Sequence, residues 1–343
     1  MVALAALLAC TRVDTDETDT VEEPLLGDTI EGFGAGAVGG DVSGAVDLVV
    51  TSLADDGEGS LRAVLAGVTG PSRVTFAVDG DIPLASSVFV PSHVTIDGGG
   101  QVTLTTNGFH LLDAEDVVIH DLAFRDVAGP GDAIGIERSH TVAIVHCSFD
   151  NAGLDPALPD EFVSIVWGST DVTIAWSSFR NTDKVFLFGN GDAPPEMDAT
   201  IRVTLHDNVL IGNGRRHPFV RYGRVDEYNS LIADWSYKHE KTYGVRAAEG
   251  ALVRLENDWI EQHSDAPDLT LPPELALALE GSPWVGAVTE TDDARIDAIG
   301  LVVNDERIVI EDTGDAFERP YEATLRTIDA SWRSRIEAVV GPR

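Results

Sequence analysis

One pattern recurs along this chain at intervals of 22 to 31 residues: an aliphatic residue, another two positions on, a small or polar residue at the fifth step and a bulky apolar one at the seventh. It reads Val117-Val118-Ile119…Leu122…Phe124, then Val142-Ala143-Ile144…Cys147…Phe149. Val172-Thr173-Ile174…Ser177…Phe179 and Val203-Thr204-Leu205…Asn208…Leu210 follow. Weaker copies start at Val225 (Ser230, Ile232) and Val253 (Asp258, Ile260), and Val94-Thr95-Ile96 opens the series. Alternation with period two marks strands that turn one face inward. Recurrence at this length marks a solenoid, whose units bury their faces only by stacking. Uneven spacing means that each turn keeps its strands and puts the excess into loops on one side. No helix-length apolar stripe separates the copies, which argues against a barrel or a doubly wound sheet. The expected fold is all-β, a right-handed parallel β-helix. Its stacked fifth positions (Cys147, Ser177, Asn208, Ser230, Asp258) should form an internal ladder of side chains bonded to backbone at a turn.

The ends of a solenoid need covers. Ser60–Ala66 reads as a short amphipathic helix ahead of the first turn, and Asp329–Val340 as a closing helix. Asp265–Pro283 alternates too poorly for another turn and is expected as a loop over the outside. At the other end, Leu7-Leu8-Ala9-Cys10 resembles a bacterial lipobox. The reading is therefore a signal over residues 1–10, an acidic flexible tether over 11–46 and the β-helix domain over 47–343. The only membrane attachment expected is a lipid anchor on Cys10, with the domain outside the cytoplasm. Cys147, alone in an apolar run, is expected as a buried core residue. A formal charge of −35 excludes general binding to nucleic acid.

Several motifs lie in order on this repeat: Asp56-Gly57-Glu58-Gly59-Ser60-Leu61-Arg62, Val94-Thr95-Ile96-Asp97-Gly98, Asp132-Ala133-Ile134 and His146-Cys147-Ser148-Phe149. Gly168–Ile174, the block Val203–Gly223 and Pro320-Tyr321 continue the series. From about Val50 to the C-terminus the chain resembles the pectate lyases of polysaccharide lyase family 1. That resemblance implies β-elimination in a uronic-acid polysaccharide such as polygalacturonate. An arginine takes the proton beside the carboxylate, and calcium bridges the carboxylate to protein acids.

Carried over residue by residue, the resemblance makes Arg216, in Arg216-His217-Pro218, the catalytic base. Arg221 matches the arginine that binds substrate carboxylate, and Lys184 the subsite lysine. Arg215, His217 and Arg224 complete a basic stretch of ten residues, and a cationic patch on so acidic a chain asks for an anionic ligand. Asp132 and Asp160 match two calcium aspartates, with Ser164, Glu161 and Asp155 as weaker candidates.

Ser164 stands where the family has a third calcium aspartate, and Pro130 where some members have another. Calcium prefers six to eight oxygens, usually with several carboxylates. The reading therefore favours weak, substrate-assisted calcium over its loss. Val145, Thr182 and Asp207 replace an Asp and two His of family motifs and are expected at ladder or supporting positions. The leading reading is a monomeric, exported polyuronate lyase. Two alternatives stay open: a calcium-independent, pectin-lyase-like enzyme on another uronate polymer, and a non-catalytic carbohydrate-binding or adhesive β-helix.

Overall fold

The computed structural model describes residues 30–129, 131–155, 158–191, 195–235, 243–262, 287–289, 291, 293–303, 306–307 and 317–342. The lipobox, most of the acidic stretch, Pro130 and the loop 265–283 lie outside them. The described residues form three sheets of ten, eight and ten strands, parallel except for one pairing at the end of the third sheet. Each coil contributes one strand to each sheet, so the chain is a parallel β-helix as its repeat requires.

The first sheet stacks Val94–Asp97, Glu115–His120, His140–Val145, Thr170–Ala175, Arg202–His206, Arg224–Tyr228 and Leu252–Glu256 in register, with further strands at both ends. From Val117 and Ile119 to Val203 and Leu205 its inward positions are aliphatic and buried. The seventh positions face in from the third sheet. There Phe124, Phe149 and Phe179 stack with ring centroids 4.7 and 4.6 Å apart. Identical rings on successive coils sit at the strand spacing of ~4.8 Å, so register alone brings them face to face.

The corner between these two sheets is tight. Its first residue takes a positive φ on each coil, as at Asp121, His146, Trp176, Asp207, Asn229 and Asn257. The next residue is the fifth position, which forms the expected ladder. Cys147 N–H donates to Ser177 Oγ (3.0 Å), Ser177 N–H to Asn208 Oδ1 (3.0 Å), Asn208 N–H to Ser230 Oγ (3.4 Å) and Ser230 N–H to Asp258 Oδ1 (2.7 Å). Each side chain satisfies a backbone donor that the corner would otherwise bury without a partner.

The helix Leu61–Ala66 sits at the first coil, capped by Ser60, with Leu61 and Leu65 in the core. The helix Ala330–Val339, capped by Asp329, corrects the expectation of an end cover. It lies along the flank, where Trp332 and Ile336 pack on Val145, Ala175, Val209 and Leu231. Val145 therefore faces outward under this helix, and Asp207 pairs with Arg326 on the same side. Neither occupies the internal ladder.

The tether assignment also ends early. From residue 30 the chain runs back across the outer face of the first sheet. Phe33 N–H donates to Thr204 Oγ1 (3.0 Å), Gly34 N–H to Thr173 Oγ1 (2.9 Å) and Gly40 N–H to Thr95 Oγ1 (3.0 Å). A Cβ on Gly34 would run into the backbone of Thr173 and Val142, so only glycine permits this approach. The C-terminal segment fastens it: Thr324 N–H donates to Glu31 Oε2 (2.9 Å), and Tyr228 OH donates to the same oxygen (3.0 Å).

Candidate active site

The second sheet stacks Val88–Val90, Phe109–Leu112, Ile134–Glu137, Val163–Val166, Phe186–Phe188, Phe219–Arg221 and Val245–Ala248, with one more strand at its end. Ile134, Val163 and Phe186 share one register line. Asp132, Glu161 and Lys184 each lie two residues earlier, so the register sets them on successive coils. Lys184 in turn bridges to Arg215, and Arg216 follows, its carbonyl accepting Phe186 N–H (2.9 Å). Two acids and two cations thus form a row at the mouths of four strands.

Side chains close the row. Lys184 Nζ pairs with Asp160 and lies 3.9 Å from Glu161 Oε1, the oxygen that also pairs with Arg216. Ser164 Oγ donates to Asp132 Oδ2, and Glu161 N–H donates to Asp132 Oδ1 (3.0 Å). Arg216 has φ 66°, a left-handed conformation that it shares with the corner residues of other coils.

Asp132, Asp160 and Glu161 each offer an oxygen within 4.8 Å of the others. Burial, with Asp160 adding repulsion, pushes the Asp132 carboxyl up to about 7. With the Ser164 hydroxyl this is an all-oxygen donor set of the kind that suits calcium, so the residues present fit that ion. Asp155 stays on an exposed loop outside the group.

Around Phe219 the cations converge. Arg221, Arg246 and Arg216 hold their guanidinium carbons 4.1, 4.6 and 5.6 Å from its ring centroid. Arg246 was not foreseen. It lies far along the chain, and only the pairing of Phe219 with Arg246 brings it here.

Three members of the basic stretch leave the site. Arg215 gives its fork to Asp183 (3.0 Å). Arg224 is exposed on the first sheet. His217 corrects the expectation of a substrate contact: its ring is buried, edge-on to Trp235, and burial pushes its pKa down to about 3. Asp198, at the end of the short helix Pro195–Asp198, is a buried tie that accepts N–H bonds from Gly168 (2.7 Å) and Asn190 (2.6 Å).

A parallel β-helix with acids and guanidinium groups gathered on one lateral sheet defines the class of pectate-lyase-like solenoids. The family model described as pectate lyase matches residues 24–268, and the chain belongs to the pectate lyase family. Pectate lyase 5 of Ambrosia artemisiifolia is 33% identical over 235 residues, 61% of this chain and 57% of that protein. The chain thus spans less than two thirds of that relative's length. A variant of Bacillus subtilis pectate lyase superposes with a TM-score of 0.74 at 16% identity, covering 91% of this chain and 96% of that one. A pectate lyase from a Bacillus species, solved in complex with trigalacturonate, superposes with a TM-score of 0.69 at 19% identity, covering 91% and 98%. Among the described residues no helix is long and apolar enough to cross a membrane.

Proposed function

We propose that this chain is an extracytoplasmic lyase that cleaves a polygalacturonate-type polymer by β-elimination, with Arg216 as base. The observation that carries the reading is the row of Asp132, Glu161, Lys184 and Arg216 on successive coils, beside a strip floored by Gly135 and Ser164. The trigalacturonate in the Bacillus relative supports the substrate class.

A uronate lying in this strip would meet Lys184 and Arg221 through its carboxylate, a two-point contact suited to a planar guanidinium. Neutralising that carboxylate acidifies the neighbouring C–H, and fixed positive charge stabilises the enediolate. Arg216 takes the C5 proton, the C4–O4 bond breaks, O4 leaves with the neighbouring sugar and takes up a proton from water, and a 4,5-unsaturated sugar is left. Arg221 and Arg246 share the face of Phe219 with Arg216, whereas Glu161 pairs with it, so a substrate has to displace that carboxylate before Arg216 can act. Calcium, held by Asp132, Asp160, Glu161 and the Ser164 hydroxyl, would supply further charge against the substrate carboxylate. A metal-free form of the same chemistry is favoured by one observation: Lys184 and Arg216 already engage Asp160 and Glu161.

The test is ultraviolet absorbance of the unsaturated product on a panel of polyuronates, with calcium or with chelator. Arg216→Lys should lower kcat on the order of a hundredfold or more while sparing substrate binding, because the basic nitrogen moves. Arg221→Ala should lose affinity together with rate, since it removes a carboxylate clamp. Lyase activity that survives Arg216→Lys would remove Arg216 as the base. Polymer binding without any unsaturated product would favour the adhesive reading.

A further inference from the structure

The outward face of the second sheet carries a feature that the chemistry above leaves unused. Register aligns Phe89, His110, Gly135, Ser164, Leu187 and Phe219 in one line along the solenoid axis. The middle of this line is small, Gly135 and Ser164, beside the acids. At the far end Phe219 is buried beneath guanidinium groups. At the near end Phe89 is 60% exposed, although its strand neighbours Val88 and Val90 are core residues. Its ring stacks on His110 with centroids 5.1 Å apart and planes 24° from parallel. Glu137 Oε1 lies 3.5 Å from His110 Nε2, on the adjacent strand.

An exposed aromatic ring backed by a half-buried imidazole, in line with the row of acids and cations, is a platform for the apolar face of a sugar ring. From the proposal that polyuronate lies along the cleft, we infer that Phe89 and His110 form a distal subsite that stacks a sugar of the same chain. Successive strands are ~4.8 Å apart, close to the rise of one sugar in an extended chain. The Arg216 guanidinium reaches back to Glu161, on the coil of Ser164; His110 lies two strands from that coil and Phe89 three, so the stacked sugar is two or three units from the reacting one. The floor at Gly135 keeps the path between them open, since it carries no side chain. Rings bind the C–H face of a sugar without regard to charge. The platform therefore holds the polymer where the cations of the far end do not reach, and it favours long chains over short ones.

The test compares KM on polygalacturonate and on trigalacturonate for wild type, Phe89→Ala, His110→Ala and Phe89→Trp. Phe89→Ala should raise KM on the polymer about five- to tenfold more than on the trimer, the size expected for one lost aromatic stack, with kcat kept. Phe89→Trp should restore it. Equal KM changes on both substrates, or none, in an active enzyme would overturn the subsite and leave the lyase reading standing. If wild type turns over no polyuronate, the lyase reading fails on its own. Affinity electrophoresis in polygalacturonate then decides the platform: weaker retardation of Phe89→Ala supports it, and equal retardation overturns it.

Discussion

Ser164 sits where a small change should convert one kind of site into another. Its hydroxyl donates to Asp132, so Ser164→Asp would replace a donor with a fourth carboxylate beside Asp132, Asp160 and Glu161. Calcium affinity should rise on the order of tenfold, because charged oxygens raise affinity for this ion. Without calcium the variant should melt below wild type, since the carboxylates repel. Calorimetry that finds unchanged calcium affinity would mean that these residues do not share an ion. The motifs made Asp132, Lys184, Arg216 and Arg221 legible in the sequence. Alternation does not say which of the adjacent acids Asp160 and Glu161 turns into the row, and the register shows that it is Glu161. His217 misleads because it lies between two arginines and a proline, whereas its ring is buried beside Trp235.

At the level of single elements, the strand Arg224–Tyr228 breaks the rule of its neighbours. Glu227 faces inward on the register line of Leu205 and Leu255, fully buried, with both oxygens lacking a hydrogen-bond partner among the described residues. Burial first, then Asp258 and Asp226, push its carboxyl well above its ordinary 4.5. An acid whose folded pKa is raised favours the folded state most below 4.5, and that contribution is lost as pH rises through the folded value. Glu227→Leu should therefore stabilise the protein by about 1–3 kcal/mol, the penalty for an unpartnered buried polar group. The gain should grow towards alkaline pH. Thermal melts of the two proteins across pH 5 to 9 would check it, and parallel curves would refute it. The repeat made the sheets and the ladder readable because each coil spells the same inward residues. The helix Ala330–Val339 was readable as a helix, but its pattern marks an apolar side without naming the surface that side meets.

Across the whole molecule, both ends of the described chain converge on the outer face of the first sheet. Removing residues 1–28 should leave the melting temperature within error, whereas removal through residue 45 should lower it. Glu31→Ala should cost about 1–3 kcal/mol, because Tyr228 and Thr324 then lose their shared acceptor. Equal melting temperatures for the two truncations would show that the glycine-rich segment adds nothing. Its docking was hidden in the sequence because short runs of glycine and alanine read as linker. The segment also fixes an order of events during synthesis. Glu31 leaves the ribosome 293 residues before the threonine that fastens it. Through that interval the coils can stack one upon another while their outer face stays incomplete. The later-made segment therefore acts as a latch, and a nascent chain interrupted before Thr324 would carry assembled coils with an unfastened N-terminal strip.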